Sequence, residues 1–290
     1  MAPAVQVLCD AVADLGEGPL WSGDENALYW LDMTNRVIWR HEVGRNETRS
    51  YKVTGIPTAM ALRARGGLIL ALRNGFAFLD TATGEERRFE VDVDFSRERF
   101  NDAKCDRRGR FFVGSMDKSW KEPIGGLWRL DPDLSLHRVD DGILVGNGMA
   151  FSPDDTVLYF SDSRTGYVYA YDYDIETGLP ANRRVHLDFR GRTAHPDGCT
   201  VDDEGCLWIA ELGTGAVGRY APDGTRIGEI HVPTTRVTSV AFGGTDLRTL
   251  YVTSMQYGLS EAQLAAETDA GRTFHTRPGA TGLAEPKFAG

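Results

Sequence analysis

Short apolar segments built from alternating β-branched and aromatic residues recur along the chain. LYWLDM begins at residue 28, LILALR at 68, FFVGSM at 111, LYFSDS at 158, LWIAEL at 207 and LYVTSM at 250. Their length and composition predict strands. A shorter alternating segment precedes each one: GPLW, AMAL, DAKC, GMAF, GCTV and SVAF. Turn-forming stretches such as SGDEN, DRRGR, SPDD and DDEG join the two. A third strand often follows, as in RVIWRHE, FAFLD, GLWRLD, YVYAYD and AVGRYAPDG. A unit of about four strands returning every 40 to 49 residues predicts an all-β, six-bladed β-propeller with four-stranded blades around a central channel. The N-terminal VQVLCDA precedes the first unit and is expected to supply the outer strand of the last blade. Only SEAQLAAE (260–267) reads as helix. The period runs through the chain without a break, so one domain over 1–290 is expected.

In a propeller the innermost strands all run the same way along the axis. Equivalent positions then form rings. Aligning the inner strands on Trp21, Leu62, Cys105, Phe151, Val201 and Phe242 places Glu17, Thr58, Asn101, Asn147, Asp197 and Thr238 at one level. All six carry side-chain oxygen. With strict alternation, the same face holds a largely apolar ring further in: Pro19, Met60, Ala103, Met149, Cys199 and Val240. Toward the mouth it holds Leu15, Ile56, Arg99, Val145, His195 and Arg236. Two carboxylates converging about 4 Å apart repel by roughly 4 kcal/mol at an effective dielectric of 20. Three remedies exist: one carboxylate takes a proton, the arginines neutralise the pair, or a cation binds. Oxygen-rich side chains at converging strand ends suit a hard divalent cation.

Composition narrows the function classes. The net charge is −10 and no basic run is present, which argues against a nucleic-acid surface. No apolar stretch is long enough for a membrane span. MAPAVQVLCD lacks the basic and apolar regions of a signal peptide, and the four cysteines form no C-x-x-C pair. A cytoplasmic protein with reduced thiols is therefore expected. No pattern along the chain specifies an oligomeric state. GTGAVG (213–218) fits G-x-G-x-x-G, but RYAPDG follows it as another strand and turn. A nucleotide site would need a helix there.

Four stretches in order, LGEGPLW, RFNDAKCDRRGRFFVGSM, GNGMAFSPD and HPDGCTVDDEGCLW, resemble a known family. It is the family of the senescence marker protein regucalcin, gluconolactonases and luciferin-regenerating enzyme. The later AFGGTDLRTLYVTS is similar too, so the resemblance spans nearly the whole chain. It implies a six-bladed propeller with one divalent metal in the channel and hydrolysis of sugar lactones. Carried over by motif, the metal ligands fall on Glu17, Asn147 and Asp197. The substrate-binding Arg-x-Asn falls on Arg99 and Asn101. Some relatives place a substrate-contacting Glu after the G-T/S-M motif. Here the stretch is GSMDKSWKEP, with Ser119 at the equivalent position and Asp117 or Lys118 as replacements. His195, in the mouth ring, is a further candidate for substrate contact.

The mechanism implied is Lewis-acid activation of the lactone carbonyl by a calcium, zinc, manganese, magnesium or iron(II) ion, with Asp197 as general base for water. No G-x-S-x-G signals a nucleophilic serine. The expected partner is a small sugar lactone, a pentono- or hexonolactone. Two other readings stand beside the enzyme: a calcium-binding regulatory protein, and a non-enzymatic propeller that serves as an interaction platform.

Overall fold

The structure is a computed structural model and describes residues 4–290. Six four-stranded antiparallel sheets follow one another along the chain. Their inner strands are Gly16–Ser22, Pro57–Leu62, Glu98–Cys105, Gly146–Phe151, His195–Val201 and Val237–Gly243. Each packs against the inner strands of the two neighbouring blades, and the sixth returns to the first. The result is the predicted propeller with a channel on its axis.

The ring closes by joining the two ends of the chain. The sixth sheet takes its outer strand from Gln6–Val7, which pairs with His275 and Phe274. This is the role expected of VQVLCDA. At the same seam the Trp21 indole stacks on Tyr251 of the sixth blade, with ring centroids 5.7 Å apart. Closure removes the exposed edge that an open array would leave. The expected helix is Glu261–Ala266, capped by reciprocal hydrogen bonds between Ser260 and Gln263. GTGAVG forms a turn into the strand Ala216–Tyr220. The four cysteines are free thiols. Among the described residues no helix is long and apolar enough to cross a membrane.

Between blades, large side chains interlock. Tyr29, Leu31, Leu68 and Leu70 share one buried cluster; Phe76, Phe100, Phe111 and Phe288 share another. Phe288 belongs to a C-terminal segment that crosses the side of the propeller opposite the mouth. Its backbone bonds Leu62, Ala64 and, through Ala289, Gly109. Lys104 and Glu285 form an ion pair at 2.6 Å beside it. That end of the channel is thereby covered.

One feature departs from strict alternation. All six inner strands shift register against their partners near the polar ring: after Glu17, Pro57, Phe100, Asn147, Pro196 and Val237. Each shift is a β-bulge, which adds backbone and re-aims side chains. The residue after a ring position therefore reaches places that a period of two assigns to the other face.

Candidate active site

Three of the predicted ring residues meet at the axis. The Asn147 amide donates to Asp197 Oδ1 and to Ser163 Oγ, the latter at 3.0 Å. Ser163 in turn donates to the Pro196 carbonyl at 2.5 Å, which fixes the amide's orientation. With its NH₂ group committed, Asn147 keeps its oxygen free: no donor reaches it among the described residues. Among the described residues Glu17 accepts only the N–H of Gly18, at 3.1 Å. Burial pushes its carboxyl well above the usual range, and the charges of Asp197 and Asp102 add to the effect. Asp197 is 5% exposed and is raised by burial and by Asp102. No arginine or lysine forms an ion pair with either carboxylate among the described residues.

Glycine makes this convergence possible. A Cβ on Gly148 would lie 2.2 Å from the Asp197 carbonyl oxygen, and one on Gly198 would lie 2.0 Å from Ser239 Oγ. Any side chain there would force neighbouring inner strands apart. The repeated Asn-Gly and Asp-Gly pairs thus place a ligand-type residue beside a point of close backbone approach.

Asp102 was not among the residues predicted from the sequence. It sits in the bulge between Phe100 and Ala103 and lines a small cavity of about 30 Å³ beneath the polar ring. The apolar ring residues Pro19, Met60, Ala103, Met149, Cys199 and Val240 line the same cavity, as expected. Its carboxylate accepts the N–H of Ala103 at 2.8 Å and is raised to about 6 by burial. The signal was present as the polar doublet Asn101-Asp102, although only the bulge turns both residues toward the axis.

Two carboxyl groups, one free amide oxygen and no ion-pairing cation among the described residues form a donor set that fits a hard divalent ion. Glu17, Asn147 and Asp197 would hold it directly. Asp102 adds negative charge below them. A second acidic group, Asp202, Glu204 and Cys206, has its ligand atoms within 4.8 Å of one another. Arg219 bonds both of its carboxylates, at 2.7 and 2.6 Å, and Trp208 Nε1 donates to Asp202. That group is a neutralised turn.

The other ring members differ in role. Thr58 donates to the Ala71 carbonyl, and Thr238 to the Gly16 carbonyl. Both brace neighbouring strands. Asn101 donates to the Gly146 carbonyl at 2.9 Å and accepts from Arg99 at 2.8 Å, so the Arg-x-Asn pair is held beside Asn147. His195 is exposed at the mouth. Arg236 donates to the Gly258 carbonyl.

The segment after GSM is a self-contained loop. The Asp117 carboxylate accepts from the backbone of Ser119, Lys121 and Glu122 and from the Ser119 hydroxyl. These donors hold it well below the usual carboxylate range. Lys118 donates to the Phe95 carbonyl. The loop presents Trp120, half-exposed and in the left-handed backbone region, with its ring 5.7 Å from the Arg99 guanidinium.

Residues 15–256 match the family model described as SMP-30/Gluconolactonase/LRE-like region. A 6-deoxy-6-sulfogluconolactonase of Pseudomonas putida is 39% identical over 279 residues, 95% of each chain. A pentonolactonase of Haloferax volcanii is 34% identical over 281 residues, again 95% of each. The solved structure of a calcium-binding protein, regucalcin, from Agrobacterium tumefaciens superposes with a TM-score of 0.94. It is 28% identical and covers 99% of this chain and 97% of its own.

Proposed function

The chain belongs to the SMP-30/gluconolactonase/LRE-like family, and from that premise we propose that it is a divalent-metal-dependent lactonase. Its substrates are sugar lactones, pentono- or hexonolactones, opened to aldonic acids. The observation that carries the proposal is the set of unneutralised acceptor oxygens on Glu17, Asn147 and Asp197 at the axis. Relatives named as lactonases that align over nearly the full length support the reaction class.

A divalent cation bound at this set supplies Lewis-acid polarisation of the lactone carbonyl and stabilises the developing oxyanion. Asp197 acts as general base and takes a proton from the attacking water. Asn147, locked by Ser163, orients Asp197 through its amide. Arg99 and Asn101 hold the sugar, and the covered far end of the channel limits water entry from below. The acyl C–O bond breaks, the ring oxygen leaves as a hydroxyl and the carboxyl product ionises.

The test is acid release, followed with a pH indicator, on a panel of aldonolactones across a metal series and with chelator. Metal-dependent release is expected. Tight calcium binding with no turnover on any lactone would instead favour a calcium-binding protein, a reading supported by the calcium-binding structural neighbour.

A further inference from the structure

Buried arginines in this protein normally sit on acids. Arg40 and Arg110 are 7% and 8% exposed. Arg40 bonds Glu25 at 2.8 Å and Arg110 bonds Asp106 at 2.6 Å. Arg99, at 8%, is as deeply placed, yet no carboxylate lies within ion-pair distance of it among the described residues. Its bonds go to the Phe100 carbonyl and to Asn101 Oδ1. A buried guanidinium without an anion is costly.

A second arginine makes the imbalance larger. Arg73 follows the second strand of the second blade, Leu68–Leu72, in the turn on the mouth side, and its carbonyl accepts the N–H of Phe100 at 3.1 Å. Its Nε is buried and unpartnered. It too has no ion pair among the described residues. Burial first, and Arg73 second, lower the Arg99 guanidinium to about 10. The nearby acids are committed elsewhere. Asp117 is saturated by its own loop, and Glu98 is held by Arg138, Ser115 and Trp128. Trp120 flanks Arg99 and limits its contact with water, which strengthens any charge interaction there.

We propose that Arg73 and Arg99 form an anion subsite at the channel mouth, and that the preferred substrate is a sugar lactone bearing a second, acidic group such as a carboxylate, phosphate or sulfonate. The inference rests on the lactonase reading of the same channel. The lactone carbonyl lies inward at Glu17, Asn147 and Asp197, because Asn101 ties Arg99 to that level. The acidic substituent then points outward, between the two guanidiniums. Paired guanidiniums suit oxyanions because each presents a planar fork of donors.

The test compares kcat/KM for gluconolactone with that for its 6-phospho and 6-deoxy-6-sulfo counterparts and for a glucarolactone, with metal saturating. The enzyme is expected to favour the acidic lactones by about tenfold or more, mostly through KM. Arg73→Met should cut that ratio by about tenfold, Arg73→Lys should retain part of it, and added salt should erode it. A calorimetric titration of the metal-loaded protein with inorganic sulfate gives a readout independent of turnover. Binding is expected for the wild type and not for Arg73→Met. Equal use of neutral and acidic lactones, or an unchanged ratio in Arg73→Met, overturns the subsite and leaves the lactonase standing. Sulfate binding that depends on Arg73, with no lactone hydrolysed, overturns the lactonase and leaves the subsite.

Discussion

Asp102 and Asp106 belong to the same blade, one within the inner strand and one just past its end. Asp106 is fully buried and fully answered. It accepts from the backbone of Arg108 and Arg110, from Arg110 Nε at 2.6 Å and from the Tyr173 hydroxyl at 2.6 Å. Asp102 accepts one backbone N–H and faces two further carboxyl groups. The off-axis arrangement of acid, tyrosine and arginine recurs at Glu25–Tyr29–Arg40, Glu211–Tyr220–Arg226 and Asp140–Tyr171–Arg183. Away from the axis, buried acids are answered within the protein, by arginines at these sites and by backbone and side-chain donors at Asp32 and Asp162. At the axis, among the described residues, Glu17 and Asp197 have no ion-pairing cation, Asp102 feels only Lys104, itself paired with Glu285, and Arg73 and Arg99 have no ion-pairing acid. Unmatched buried charge is tolerated where a ligand supplies the counter-charge.

Substitutions separate the two kinds of acid. The largest effect is expected for Asp197→Ala. Loss of the base should lower kcat/KM on aldonolactones by about a thousandfold, even with metal saturating. Substantial turnover by this variant would remove Asp197 from that role. Asp106→Asn breaks a buried ion pair and should cost about 3–5 kcal/mol of stability, read in a denaturant titration. The kcat/KM of the folded fraction should stay near that of wild type. Asp102→Asn should do the reverse. It relieves repulsion, so the chelated protein gains about 1 kcal/mol, while affinity for the divalent ion falls several-fold. Destabilisation of the chelated protein by Asp102→Asn would place Asp102 with Asp106 and erase the distinction.

The smallest effect is a pH dependence. The Asp102 carboxyl is raised from 3.8 to about 6. Between those values the folded, metal-free protein binds more protons than the unfolded chain. Its stability therefore falls as pH rises through the window and then levels off. A bound cation opposes this, so the metal-induced rise in Tm should be greater at pH 8 than at pH 5. An equal rise at both pH values would show that the axial acids do not share protons with the cation site.

Much of this was legible in one dimension. Six returns of the same strand and turn pattern specify the blades, because each blade is a local unit whose apolar period is written in its own residues. The alignment of those units brought Glu17, Asn147 and Asp197 to one level, and the structure has them converge. The residue Asp102 escaped because a period of two cannot see a bulge, and here every inner strand has one at the ring. The Asp117 loop escaped for another reason. Whether a carboxylate faces substrate or its own backbone depends on the turn it closes, which Ser119, Lys121 and Glu122 decide together.

The sequence alone determined the blade repeat, the chain-end closure by VQVLCDA and the identity of the polar ring, since these follow from spacing and side-chain type. Only the tertiary structure decided which charges are answered. That no acid pairs with Arg73 or Arg99, and no cation with Glu17 or Asp197, among the described residues depends on residues far apart in the chain. Neutralisation is a matter of distance in space and of burial, and neither is carried by order along the chain.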